Sequence, residues 1–170
     1  IGRYPIGFPA IIATLMHLNG LPVYTNAWIL TAATYMLFSA SVYTLLRRTY
    51  PIIPSVAGAL AVSFISRTPY DFIEWGANPT ILSLTFLIFC LALLSRNGPR
   101  SYALAALFFA ATFYTHSIIT ASALYMAVPL LLVATSGKSR PDARSIAAFF
   151  SVVAAGILPY IIRFGSNAFD

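Results

Sequence analysis

Acidic residues are almost missing from this chain: four Asp and Glu stand against ten Lys and Arg in 170 residues. All charged residues together make up 8% of the sequence, where a soluble domain carries about 25%. That scarcity, with 59% hydrophobic residues and a mean hydropathy of +0.83, excludes an ordinary soluble domain and makes a bilayer the main solvent. Cysteine is nearly absent too. Cys90 stands alone in an apolar run, so an intrachain disulfide is excluded and the redox compartment is unreadable. There is no phosphate loop, no nucleophile elbow, and no His and Cys spacing suited to zinc. No basic region followed by a cleavage site precedes the first apolar run. The chain opens on Ile1 and stops abruptly after Asp170, so residues 1–170 are read as a single transmembrane domain, a piece of a longer protein.

The charges that are present sort by position. Arg47 and Arg48, then Arg96 and Arg100, then Lys138, Arg140 and Arg144 fill alternate breaks between apolar runs, whereas Asp71, Glu74 and Asp170 fill the others. Basic residues in short loops mark the cytoplasmic side, which sends the acidic loops outward. A net charge of +6 and a pI near 9.8 do not indicate nucleic acid. The cations are scattered in twos and threes, without an interleaved basic and aromatic surface, and read as topology signals and contacts to membrane lipids.

Run lengths predict the helices. Residues 9–18 are too few to cross a hydrocarbon core of about 30 Å, so they suit an interfacial helix, held by Pro5 and Pro9 and stopped by Asn19, Gly20 and Pro22. His17, on its polar stripe with Thr14, reads as structural. Residues 26–46 are a full crossing closed by Arg47 and Arg48. Residues 54–66, rich in Ser, Ala and Gly, predict a short crossing with a small-residue packing surface. After the polar segment 67–78, Pro79 suits the first turn of a helix reaching Ser95. Residues 102–136 would run about 52 Å as one helix. Two crossings with a turn at Thr115-His116-Ser117 keep Lys138, Arg140 and Arg144 inside. A last helix, 145–162, passes outward with a kink expected at Pro159. The expected fold is therefore all-α: a polytopic transmembrane helix bundle of about six spanning helices plus one interfacial juxtamembrane helix.

This threading gathers the interfacial helix, the 67–78 loop, the His116 apex and the tail around Asn167 and Asp170 on the outer face. Asp71 and Glu74, three apart, share a face if their loop is helical, and such a pair serves as base and electrostatic partner, as oxygen ligands for a divalent cation, or as a solvated loop face. Arg67 is placed either to clamp a phosphate bidentately or to pair with Asp71 at i,i+4. His116 either titrates near neutrality in a site or bonds a neighbouring carbonyl. Asn78 before Pro79 is either a helix cap or a ligand.

One order of parts carries a resemblance. Tyr4-Pro5-Ile6-Gly7 opens a short helix, a spanning helix closes on Arg47-Arg48, an outer loop with Arg67 runs into a helix, and Phe113-Tyr114-Thr115-His116-Ser117 stands at a hairpin apex. That order resembles the N-terminal half of a GT-C type glycosyltransferase, and it covers nearly all 170 residues as an arrangement with short motifs. The resemblance implies an integral membrane enzyme that moves a sugar from a polyprenyl-phosphate carrier to an acceptor on the extracytoplasmic face. It places Tyr4 and Pro5 near the lipid phosphate with Arg3 adjacent. The 67–78 segment becomes the second outer loop, whose usual Asp before the next helix is Asn78 here. Thr115-His116 stands where many relatives have Thr-Lys. The family's principal catalytic carboxylate would precede Ile1, so this piece alone is expected to be inactive. Arg3, Tyr4, Arg67, Asn78 and His116 are then the substrate-binding candidates, and Asp71 and Glu74 the catalytic ones, or metal ligands in a reaction where a metal is optional. Two other classes fit a polytopic chain: a non-catalytic scaffold or assembly subunit, suggested by the small-residue surface, and a transporter, which would show mid-membrane ionisable residues and inverted repeats. Sugar, acceptor and oligomeric state are not written in the sequence.

Overall fold

A computed structural model describes residues 7–65, 78–96, 98–115 and 142–164. The described residues are helical throughout their regular structure, with no strand among them. α1 is Gly7–Asn19, α2 Val23–Leu46, α3 Ile52–Leu60, α4 Asn78–Leu94, α5 Pro99–Thr115 and α6 Ala143–Phe164. The all-α expectation holds, and α2 is the one described helix long and apolar enough to cross a membrane.

The boundaries follow local chemistry. α1 stops because Gly20 takes φ 68°, a left-handed conformation that costs glycine little, and its N–H bonds Met16 O at 2.9 Å. α2 starts three residues before the apolar run does, since Pro22 is extended at ψ 157° and tolerates its own missing donor. α5 starts at Pro99 rather than Tyr102, because proline is well placed in a first turn. α6 starts after Asp142, whose Oδ1 accepts from Ser145 N–H at 2.7 Å as a side-chain cap. Pro159 lies inside α6.

The predicted third crossing, 54–66, differs in kind. α3 begins at Ile52, and from Ala61–Ile65 the chain is a π-helix. A π turn widens the helix and disturbs its regular hydrogen bonding. Here the Tyr35 hydroxyl donates to Ser63 O at 2.8 Å, and Ser39 Oγ meets Ser63 Oγ at 2.7 Å. Both partners sit on α2, so the wide turn is tied to the neighbouring helix.

The helices pack as a row, α3 on α2, α2 on α4, α4 on α5 and α5 on α6, with α1 laid against α2, α4 and α5. α3 runs against α2, since the Cβ position of Gly58 lies 2.7 Å from Leu46 Cδ1 while Ser63 reaches Ser39. Phe38, Val42, Ala59 and Ile81 form one buried cluster of α2, α3 and α4. Cys90, Ala105, Phe109, Ala110 and Ile157 form a second, of α4, α5 and α6. α4 and α5 are antiparallel, joined by a short base connection and by Ser83 and Thr112 further on. α5 and α6 are parallel: Phe109 meets Phe149 with ring centroids 6.0 Å apart, and the Tyr114 hydroxyl reaches Gly156 O at 2.7 Å.

The interior mixes apolar residues such as Phe38, Ile81, Leu82 and Phe109 with small hydroxylated ones, and many other large apolar side chains are outside. Asn26, Ser41, Ser55, Ser63, Ser83 and Thr85 are wholly buried, whereas Ile53 and Ile65 are 81% and 82% exposed and Trp28 is 70% exposed. Water-soluble folds bury Leu, Ile and Phe. Eight of the hydroxyls resolve their own need locally: Thr14, Thr31, Ser39, Thr44, Ser55, Thr85, Thr112 and Thr115 each donate to the carbonyl four residues back.

Candidate functional site

The row of helices has two chemically different ends. At the base, Arg47 and Arg48 follow α2, Arg96 follows α4, Arg100 opens α5 and Arg144 opens α6. The guanidinium of Arg48 is held below its ordinary pKa, by partial burial first and by the charge of Arg96 second, which brings the two arginines into one electrostatic neighbourhood. Asp142 is there too, near enough to Tyr102 for its charge to act on it. Hydrogen bonds from Ser145, and to a smaller degree the charge of Arg144, pull the Asp142 carboxyl below the usual carboxylate range against weak desolvation. Asp142 was not among the site candidates; Asp-x-x-Ser ahead of an apolar run was the available sign of a cap.

At the opposite end, the head, α1 begins, the π turn finishes, α4 begins and α5 finishes. Gly7 makes the tightest contact there. A Cβ at that position would lie 2.6 Å from Tyr114 O and 3.0 Å from Tyr114 C, so only glycine lets the start of α1 lie on the backbone ending α5. The end of α5 is itself anchored on both sides. Ser83 Oγ donates to Thr112 O at 3.2 Å, Thr115 Oγ1 is satisfied by Ala111 O and Thr112 O, and Tyr114 is tied to α6. Thr115, the last described residue of the apex motif, therefore spends its hydroxyl inside its own helix.

Asn78 is the predicted site residue that the structure describes. It opens α4, and its Oδ1 is buried without a hydrogen-bond partner. A capping asparagine would accept from a backbone N–H two or three residues on. Asn78 makes no such bond. Arg3, Tyr4, Arg67, Asp71, Glu74 and His116 lie outside the described residues, as do Lys138, Arg140 and Asp170. Among the described residues no group of three His, Cys, Asp or Glu could hold a metal. The hollow beside His17, formed with Ala13, Thr14 and Met16, is shallow and carries no second ionisable group.

A second unpartnered oxygen, missed by the sequence reading, is on α2. Thr34 is 2% exposed, and its Oγ1 has no hydrogen-bond partner. Burying a hydroxyl in that state costs about 1–3 kcal/mol, although donation to Leu30 O, the contact made by its helical counterparts, would relieve it. Phe38 and Ile81 share the apolar cluster of α2 and α4. Thr34 precedes Phe38 by four residues and Asn78 precedes Ile81 by three, on the same helix faces and toward the head. Each oxygen thus lies on the head side of that cluster along its own helix, whereas the third unpartnered oxygen, Ser145 Oγ, lies at the base. Nothing in the sequence separates Thr34 from Thr31 or Thr44, and only their hydrogen bonds do.

Asn26, the largest wholly buried polar side chain, was also missed as a structural residue. Its amide accepts from Asn19 Nδ2 at 2.7 Å and donates to Leu21 O at 2.9 Å, while Asn19 Oδ1 takes Leu21 N–H at 2.9 Å. This closed network fixes the α1–α2 corner.

The family whose model matches residues 1–166 is DUF6541, a family of unknown function, and the chain belongs to it. No curated protein and no solved structure matches the chain.

Proposed function

We propose that the chain is a multi-pass membrane domain of a GT-C type glycosyltransferase, with its head end on the extracytoplasmic side receiving a polyprenyl-phosphate-linked sugar. The observation that carries this reading is the polarity of the helix row. Five of the six described arginines lie at the base, with Arg163 near the far end of α6, while two of the three unpartnered buried oxygens, those of Thr34 and Asn78, lie on the head side of the apolar cluster and the third, Ser145 Oγ, lies at the base. Arginines on one side follow the positive-inside rule. Many bulky apolar side chains outside, with wholly buried Ser and Thr among the interior residues, suit a bundle in lipid, where lipid does not reward burying Leu and close approach of helices aids the packing. α4 and α5, at 17 residues each, rise about 26 Å, close to the hydrocarbon thickness of about 30 Å. α1, at 13 residues, suits the interface. The end of α5 and the start of α6 lie at opposite ends of the row.

In this reading a carboxylate accepts the proton of the acceptor hydroxyl as its oxygen attacks the anomeric carbon. The bond from that carbon to the lipid phosphate breaks, inverting the centre, and the phosphate leaves with the electron pair. Arg3, Arg67 and His116 are proposed to stabilise the charge developing on it, Tyr4 to stand beside the lipid phosphate, and Asp71, Glu74 and Asn78 to hold sugar hydroxyls. A metal is optional, since positive side chains meet a phosphate leaving group. The small-residue face of α3 and the π turn does not favour the scaffold alternative, because Gly58 and Ser63 spend it on α2.

The test is a mutant cycle in the full-length protein. Arg67→Ala should lower sugar transfer about tenfold to a hundredfold through a lost charged hydrogen bond at normal expression, with partial rescue in Arg67→Lys. If Arg67 only pairs with Asp71, both single mutants lose stability alike, the double mutant adds little, and transfer by the folded fraction is unchanged; that result removes Arg67 from the site. Labelling of single cysteines at Arg144 from outside intact cells would overturn the orientation.

A further inference from the structure

Two arginines from different helices come together at the base of the row. α2 and α4 both end there, and Tyr43 and Leu46 of α2 pack against the same buried cluster as Leu84 and Ile88 of α4. Each arginine stands in a tight turn that closes its helix, with Arg48 N–H bonded to Leu45 O at 3.1 Å and Arg96 N–H to Leu93 O at 2.9 Å. They are close enough for the charge of Arg96 to act on Arg48. Both are exposed, and neither side chain makes a hydrogen bond or an ion pair with a described residue. Arg47 differs, since its Nη1 donates to Tyr50 O at 2.6 Å. Asp142, the one described carboxylate, is engaged with Ser145 and Arg144 at the start of α6. We infer that Arg48 and Arg96 clamp one phosphate of an anionic phospholipid in the leaflet at the base. The inference goes beyond the proposed function, because it uses the placement of the chain in a membrane and not the transfer of a sugar.

The chemistry selects the ligand. A cation at a helix C-terminus is favoured by the helix dipole, and basic residues on one side set orientation. Those effects account for one arginine at each helix end, but not for two brought together with no carboxylate between them. Like charges at short range repel, and a phosphate between two guanidinium forks replaces that repulsion with charge-assisted hydrogen bonds. Soluble phosphate carries the same oxygens, and the surroundings decide for lipid. Tyr50, Ile52 and Ile53, which follow Arg48, are exposed, and an aromatic ring with apolar neighbours beside a headgroup suits the boundary where headgroups meet acyl chains. Charge decides for an anionic lipid, because a choline or ethanolamine headgroup brings its own cation toward the arginines.

The experiment uses the full-length protein, purified in detergent and stripped of lipid. Phosphatidylglycerol with a fluorophore on one acyl chain is the probe, read by anisotropy, and unlabelled phosphatidylglycerol, phosphatidylcholine and inorganic phosphate are the competitors. Phosphatidylglycerol should compete about tenfold better than phosphatidylcholine, and inorganic phosphate should leave the probe bound. Arg48→Gln and Arg96→Gln should each weaken probe binding about tenfold, as expected for a lost charged hydrogen bond. The double variant should lose less than the product of the two, since both hold one phosphate, and Arg48→Lys should recover part of the loss. Arg100→Gln and Arg144→Gln remove the same charge from the base and should cost less than about twofold, because more distant exposed charges are screened. Equal losses in all four single glutamine variants would reduce the clamp to a diffuse positive surface and overturn it. Displacement by inorganic phosphate as effective as by phosphatidylglycerol would remove the lipid. A lower melting temperature of Arg48→Gln and Arg96→Gln in lipid-free detergent would make both residues structural, which also overturns the clamp. None of these measurements involves sugar transfer, so the clamp can fail while the glycosyltransferase reading stands, and the reverse.

Discussion

Asn26 and Thr34 sit eight residues apart on α2, about 12 Å along its axis, and the chain treats them oppositely. Asn26 is wholly buried with its amide engaged on both sides, by Asn19 and by Leu21 and Pro22 carbonyls. Thr34 is 2% exposed and has no partner. A buried polar group left open costs free energy that a closed one does not. The Asn26 corner shows that this chain can close such networks where the role is to hold a turn. The oxygens of Thr34 and Asn78, like Ser145 Oγ at the base, are left open instead, so the described residues give up stability at both ends of the row.

The comparison can be broken most directly at Asn26. Asn26→Leu should destabilise the protein by about 3 kcal/mol, because Asn19 and the Leu21 carbonyl lose partners in a buried setting, whereas Thr34→Val should be neutral or stabilising. Thermal unfolding of both variants in the same detergent decides it, and a reversed order would make Thr34 the structural residue. A smaller effect is expected where α1 meets the end of α5. Gly7→Ala brings a Cβ to 2.6 Å from a backbone carbonyl, which α5, tied to α4 and α6, cannot easily yield. An overpacking cost of about 2 kcal/mol follows, readable as faster proteolysis at the head than at the base.

The smallest effect belongs to the base. Asp142 has a lowered folded pKa, so its contribution is present above its unfolded value near pH 4 and is lost as pH falls through the lower folded value. Asp142 is exposed, and the change is expected to be slight. Asp142→Ala should flatten the acid side of the melting-temperature profile and fray the start of α6 in hydrogen exchange. An unchanged profile would show that the cap at Ser145 does not matter.

Much of the fold was legible because its cues are local. The breaks at Asn19-Gly20, Arg47-Arg48 and Arg96 mark where apolar runs stop, and the helices end within a few residues of them. Starts were read late at Val23, Pro99 and Ala143, since helix N-termini were judged from apolarity rather than from Pro22, Pro99 and Asp142. The π turn at Ala61–Ile65 left no sign in the sequence, because its tie to α2 runs through Tyr35 and Ser39, 24 residues and more upstream. Of the candidate site residues only Asn78 lies among the described residues, and Thr34 is indistinguishable in sequence from its neighbours.

Composition, run length and the spacing of charge by themselves determined an all-helical chain, the breaks between its helices, and the gathering of arginines at every second break. Those properties depend on residues close together in sequence and on the solvent each apolar run can tolerate. Only the tertiary structure decided which polar groups are satisfied. Asn26 finds Asn19 across a corner, Ser63 finds Ser39 across a helix interface, and the side-chain oxygens of Thr34, Asn78 and Ser145 find no one. A hydrogen bond depends on where two atoms come to rest, and packing of distant segments sets that position.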